Sequence, residues 1–251
     1  MSIYVIGDLH LSFSENKPMD IFGDNWSGHE EKIKKDWIEK VTDNDLVILP
    51  GDFSWSMKLE DTEKDFEFIN KLPGKKLLLK GNHDYWWNTV TKMRKFLEEK
   101  NFKNIDFIYN QGFIFDNYII AGTRGWSLLE EDKDEKVLNR ELGRLEASIK
   151  DGLQKAKKSL ENENTQPENY KETTGEKELI VFMHYPPISN TKILNNEEAQ
   201  FVEIMKKYNV KKCFYGHLHG SSIKDAFEGE FEGIEFKLVS ADGLNFKLYK
   251  I

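Results

Sequence analysis

Five short apolar runs end in the same way, in a turn that carries Gly, Asp, Asn or His. Ile3-Tyr4-Val5-Ile6 leads to Gly7-Asp8, Leu46-Val47-Ile48-Leu49 to Pro50-Gly51-Asp52, and Leu77-Leu78-Leu79 to Lys80-Gly81-Asn82-His83. Leu179-Ile180-Val181-Phe182-Met183 leads directly to His184, and Cys213-Phe214-Tyr215 to Gly216-His217. Runs of this length, rich in Ile, Val, Leu and Phe, read as buried sheet strands. A glycine after four of them lets the chain turn sharply and bring its backbone close to a bound group.

Helical patterns lie between these strands. Ser27 followed by Glu30 reads as a capping box opening a helix with Ile33, Trp37, Ile38 and Val41 on its core face. A second helix is expected over Leu59 to Leu72, stopped by Pro73-Gly74, and a third after Tyr85 with Val90, Met93 and Leu97 on one face. A fourth is expected over about Glu197 to Tyr208. Strands alternating with helices imply parallel crossovers. From Ile105 the pattern changes. Phe107-Ile108-Tyr109, Phe113-Ile114-Phe115 and Tyr118-Ile119-Ile120, separated by turn residues, read as a β-meander. The tail from Ser222 to Ile251 repeats that style, with turns at Glu228-Gly229, Glu232-Gly233 and Asp242-Gly243. Two packed sheets with helices outside are the expected outcome.

At 251 residues the chain reads as a single domain over 1–251. A charged excursion at about 130–177 stands apart. Within it Val137, Leu138, Leu142, Leu145, Ile149, Leu153, Ala156 and Leu160 recur at helical spacing, and Glu161–Lys177 is polar and irregular. An amphipathic helix followed by a mobile loop is expected. Its stripe is expected to pack at the pocket rim near Arg124 and Trp126 and to limit substrate size; the alternative is a brace on an outer sheet face.

Composition narrows the function classes. The longest apolar run has five residues, so no bilayer span is expected. Met1-Ser2 runs straight into a strand without a basic leader, and the single Cys213 excludes an intramolecular disulfide and a cysteine zinc finger. A cytoplasmic location is expected. Thirty-six basic and 44 acidic residues give a net charge of −8, which disfavours binding to long nucleic acid. Protein partners are not indicated.

Five of the six histidines, His10, His83, His184, His217 and His219, follow the apolar runs. Asp8 and His10 are two apart in an extended segment, so both side chains lean to one face; His217 and His219 repeat the arrangement. Asp52, Asn82 and His184 add donors from three other strand ends, where ligand sites form in open α/β sheets. Seven donors are too many for one tetrahedral ion and suit two ions sharing a carboxylate. Two divalent ions bring about +4 against about −2 from two carboxylates, leaving a positive site for a phosphate.

Gly7-Asp8-Leu9-His10, Gly51-Asp52, Gly81-Asn82-His83-Asp84, His184 and Gly216-His217-Leu218-His219 appear in this order over residues 7–219. The set resembles the signature of the calcineurin-like metallophosphoesterases. The resemblance implies an α/β, four-layer α/β/β/α sandwich with two mixed β-sheets and a dinuclear site. It implies that Asp8, His10, Asp52 and His219 hold one metal, that Asp52, Asn82, His184 and His217 hold the other, and that Asp52 bridges them. It further implies that His83 faces the leaving group while Asp84 holds its ring. The implied activity is cleavage of a phosphoester P–O bond in a small phosphorylated substrate, by in-line attack of a metal-bridging hydroxide. Monoesters, phosphodiesters and nucleotide pyrophosphates all remain open, because loops select among them. Two divalent or mixed-valence ions among Mn, Fe and Zn are expected, since mixed N/O donors do not decide the metal. Trp55 stands where purple acid phosphatases carry an iron-ligating Tyr, so an Fe(III)–Tyr site is not expected. Asp84 stands where many members have Glu, a one-methylene change expected to keep the orienting role.

Other residues carry plainer expectations. His29 reads as a solvated histidine in the first turn of a helix. Trp26, Trp55, Trp86, Trp87 and Trp126 read mainly as packing, although Trp55, Tyr85, Trp86 and Tyr185 neighbour ligand positions. Arg124, after a strand, reads as a clamp for a phosphate oxygen or as a surface ion pair. Two rival functions are a catalytically inactive scaffold or protein-binding module, and a dinuclear redox oxygenase. The first is disfavoured because every ligand and His83 are present, the second because the site has few carboxylates and an Asn.

Overall fold

The computed structural model of the chain describes residues 1–15, 17–127, 134–163, 177–190 and 199–251. Two mixed sheets form the middle of an α/β/β/α sandwich. The first sheet is ordered β11 (Tyr249–Lys250), β1 (Ile3–Val5), β2 (Leu46–Pro50), β3 (Lys75–Leu79), β4 (Ile105–Phe107). The second is ordered β5 (Phe113–Phe115), β6 (Tyr118–Thr123), β7 (Glu178–Met183), β8 (Lys212–Tyr215), β10 (Ile234–Leu238), β9 (Gly229–Phe231). β1 to β4 run parallel, as do β6, β7, β8 and β10, while β11, β5 and β9 are antiparallel edges.

Alternation along each strand divides the core into three apolar layers. Ile3, Val5, Ile48, Leu77 and Leu79 point inward, against Ile120, Ile180, Phe182 and Phe214 of the facing sheet. Tyr4, Val47, Leu49 and Leu78 point outward, onto α1 (His29–Lys40), α2 (Glu63–Asn70) and α3 (Val90–Glu99) through Ile33, Trp37, Phe66, Met93 and Leu97. On the other side, Ile119, Val181, Met183 and Cys213 meet Leu145, Ile149 and Ala156 of α4 (Glu135–Glu163) and Phe201, Val202 and Met205 of α5 (Gln200–Lys207). Among the described residues no helix is long and apolar enough to cross a membrane.

Several local expectations are corrected. α1 starts at His29 behind Gly28, whose left-handed φ of 62° turns the chain; no side chain caps it, so the Ser27–Glu30 capping box does not form. Ile38 is 57% exposed, because the helix turns its face toward Ile33 and Trp37. The second expected helix is a 3-10 turn (Leu59–Thr62) running into α2. The meander is broken: β4 pairs in parallel with β3, so only β5 and β6 form the hairpin. The tail also divides, β9 and β10 joining the second sheet and β11 pairing with β1 in the first.

The stripe of α4 covers the outer face of β6, where Leu145, Ile149 and Ala156 are buried beside Ile119 and Ala121. Ser148 adds a hydroxyl that accepts the Gly122 N–H at 3.0 Å and donates to the Gln111 carbonyl at 2.9 Å. That is the brace position, with Glu141 reaching the strand end at Thr123 and Arg124. Leu153 is exposed. The expected start of the helix at 130, the side chain of Leu160 and most of the loop to 177 lie outside the described residues.

Candidate metal centre

The C-terminal ends of β1, β2, β3, β7 and β8 bring the seven expected ligands together. Backbone hydrogen bonds first set the loops in register. Asp8 and His10 donate to the carbonyls of Gly51 and Asp52, both at 2.9 Å, and Gly216 donates to the His184 carbonyl at 3.1 Å. Asp8, His10, Asp52 and His217 themselves adopt left-handed backbone, with φ of 58°, 46°, 50° and 74°. Such conformations cost about 1–3 kcal/mol per non-glycine residue, and they persist where the surroundings enforce them. Gly81 and Gly216 are required by contact: a Cβ on the first would overlap Asp52, and one on the second the Asp8 carboxylate.

The donor atoms form two groups, Asp8/His10/His219 and Asp8/Asp52/His184. His219 Nε2 lies 3.4 Å from both Asp8 Oδ1 and His10 Nε2. His184 Nδ1 is 3.7 Å from Asp8 Oδ1, and its Nε2 is 3.6 Å from Asp52 Oδ2. Asp52 Oδ2 is also 3.8 Å from His10 Nε2, so this oxygen stands between the two groups. Asn82 Oδ1 faces His184 Nε2 at 2.6 Å and His217 Nδ1 at 2.9 Å, which ties both residues to the second group. Donors each about 2.0–2.2 Å from one ion stand roughly 3–3.5 Å from one another, so the spacing fits cations.

Protonation is tuned to the same end. Burial pushes His10 well below the ordinary imidazole range and takes His184 and His217 to about 3, which leaves neutral rings with a free lone pair. Burial, then Asp84 and Asp8, raise Asp52. For His219 burial pulls downward, but Asp8 and Asp242 outweigh it and carry the ring to about 10. Neighbouring carboxylates contribute to both upward shifts, and ligands of this kind give up their protons when a cation binds.

His83 is half-buried, its ring 4.7 Å from Trp55, which in turn stacks on His10 at 4.8 Å. The expected His83–Asp84 pair is not made. Asp84 is fully buried, and its carboxylate accepts backbone N–H groups of Asp52 and Phe53 at 2.9 Å and Gly81 at 2.7 Å, with the Trp86 indole at 2.9 Å. With the Ser54 N–H at 3.3 Å, five donors outcompete one imidazole, whose Nδ1 has no partner among the described residues. Asp84 thus fastens the Asp52 loop to the Asn82 loop. Arg124 lies next to His184, whose N–H its carbonyl accepts at 3.2 Å.

Two residues were not distinguished by the sequence. His29 is only 2% exposed, not solvated: its Nε2 faces the Leu9 carbonyl at 3.0 Å, between Asp8 and His10, and its Nδ1 faces the Trp26 carbonyl at 3.2 Å. Asp242 lies in what reads as a simple turn. Its Oδ1 accepts His219 Nδ1 at 2.8 Å and its Oδ2 accepts Gly220 N–H at 2.9 Å, which fixes the His219 ring with Nε2 toward the cluster. Partners of this kind are worth about 10–100-fold in metal affinity. Asp242→Ala is therefore expected to weaken cation binding by that factor in a calorimetric titration, with part recovered in Asp242→Glu. Unchanged affinity in the alanine variant would remove the orienting role.

The calcineurin-like phosphoesterase family model matches residues 1–221. No curated protein matches the chain. Among solved structures, a protein of unknown function from Aquifex aeolicus is 18% identical with a TM-score of 0.50, over 99% of this chain and 95% of that one. A phosphopantetheinyl hydrolase from Mycobacterium tuberculosis is 12% identical with a TM-score of 0.50, over 100% and 95%. A Thermus thermophilus protein is 11% identical with a TM-score of 0.53, over 100% and 97%. At these identities the likeness is one of fold.

Proposed function

The chain belongs to the calcineurin-like phosphoesterase family, and on that premise we propose that it is a phosphohydrolase that cleaves a phosphoester P–O bond at a dinuclear metal site. The observation that carries this reading is the convergence of seven donors from five strand ends into two adjoining groups. Asp8, His10, Asp52 and His219 would hold one cation, and Asp52, Asn82, His184 and His217 the other. The position of Asp52 Oδ2 between His10 and His184 supports it as the shared ligand. When bound, two divalent cations supply Lewis-acid stabilisation of phosphoryl charge and make water acidic enough to attack.

The chain's own residues do the positioning. Asp84 holds the Asp52 and Asn82 loops at fixed separation, Asp242 fixes the His219 ring, and His29 supports the turn between Asp8 and His10. Trp55 confines His83 on the side facing His10. From there the imidazole donates a proton or hydrogen bond to the departing oxygen.

The test is a screen of protein reconstituted with Mn, Fe or Zn, using nitrophenyl phosphate, its bis-ester and cyclic nucleotides. Metal-dependent turnover of at least one class is expected. Negligible turnover of all three at full metal loading would leave the fold as a binding module.

A further inference from the structure

Beside the metal ligands, three arginines gather round one carboxylate. Glu141 of α4 is fully buried and accepts the Thr123 hydroxyl at 2.8 Å and Arg144 Nη1 at 2.6 Å. Arg144 also donates to the Tyr109 hydroxyl at 2.6 Å. Arg140 Nε and Arg124 Nη2 stand farther off, 3.6 and 3.8 Å from the same carboxylate. Lys80 stands half-buried directly after β3, in the sheet that faces β6. Three arginines within 4 Å of one glutamate give these four side chains a summed charge of +2, in a protein whose net charge is −8.

Glu141 does not need all of them. Arg144 and Thr123 already satisfy it at hydrogen-bond distance, so Arg124 is surplus to the pair. Its Nε is buried and has no partner among the described residues. A buried donor left unpaired costs about 1–3 kcal/mol, and such groups normally find an acceptor. The guanidinium rests over Trp126, 5.0 Å from the ring centre, which limits its freedom to swing out to water.

The cluster adjoins the metal centre from two directions. The Arg124 carbonyl accepts the N–H groups of His184 and Tyr185, and Lys80 directly precedes Gly81-Asn82. β6 and β3 belong to different sheets, yet their ends meet because Gly122 has no side chain: a Cβ there would overlap Leu79. Guanidinium groups suit phosphoryl oxygens, which accept two parallel N–H bonds.

We propose that Lys80 and Arg124, backed by the Glu141–Arg144 pair, form a second anion site that binds a second phosphoryl group of the substrate, so that the substrate is a diphosphate-bearing compound. This rests on the phosphohydrolase reading and narrows its substrate class. The second group is held while the scissile one lies at the metal ligands.

The test compares methylenediphosphonate, whose two phosphonyl groups cannot be separated by hydrolysis, with inorganic phosphate. Calorimetry on the metal-loaded protein gives each affinity, and elemental analysis afterwards checks that the metals stayed bound. The diphosphonate is expected to bind at least about tenfold tighter than phosphate. Arg124→Gln should weaken diphosphonate about tenfold or more and phosphate less than about threefold, with part recovered in Arg124→Lys. Lys80→Gln, at a half-buried position, should show the same pattern and decides the matter if Arg124→Gln does not fold. Equal losses for both ligands, or none for either, would overturn the second site and leave the hydrolase reading standing. Binding of neither ligand to the fully metallated wild type would overturn both.

Discussion

Asp52→Asn lowers the affinity for both cations together and cuts turnover by at least about 10³-fold, equivalent to about 4 kcal/mol of transition-state stabilisation: that is the expected result if Asp52 is the shared ligand. Asn is the informative replacement because it keeps the shape. The Asp52 Oδ1 oxygen accepts the His83 backbone N–H at 2.8 Å, and an amide oxygen can preserve that bond. What disappears is the negative charge between His10 and His184. His10→Ala should instead weaken mainly one cation. Two-site calorimetry with elemental analysis separates the cases, and an Asp52→Asn variant retaining one site at full affinity would contradict the shared role.

The second large effect concerns His83. His83→Ala should leave metal content near normal while lowering kcat by about 10²–10⁴ on an ester with a poor alkoxide leaving group. Nitrophenolate needs little help to depart, so the loss there should be smaller. Burial, and then the charge of His219, holds the His83 ring below the ordinary imidazole pKa of 6.5. If the protonated ring is the donor, its advantage over the variant should grow as pH falls below 6.5 and shrink as pH rises. A loss equal for both leaving groups would make His83 a group that positions phosphate. Loss of metal would make it a ligand.

The strand–turn–donor units were legible because they are short. An apolar run, a glycine and a carboxylate or imidazole are neighbours in sequence, and the parallel sheets carry the local order to one edge of the molecule. What was hidden depends on distant partners. Phe107-Ile108-Tyr109 has the same composition whether it continues a meander or, as found, pairs with β3. His29 looks like any polar residue in a first turn until Leu9 and Trp26 present their carbonyls to it. Asp84 could be located from its motif but not aimed, since three of the donors that capture its carboxylate, Asp52, Phe53 and Ser54, come from the other loop. The left-handed backbone at Asp8, His10, Asp52 and His217 falls on residue types that tolerate it better than most, yet most Asp and His residues do not adopt it, so type alone could not place it.

The return of the tail to the first sheet also dictates an order of events during synthesis. When residue 221 has been added, all seven donors exist, yet Asp242, the Gly7–Ser240 bridge and β11 do not. Until they arrive, β1 is an open edge, with one side available to any unpaired strand nearby. At about 5–20 residues per second the stretch through β11 takes roughly 2–6 seconds to make. In that interval the ligands of both groups have been made, but not the carboxylate that stops the His219 ring from turning. β1 is made well before the strand that completes its sheet, so maturation of the centre waits on the tail.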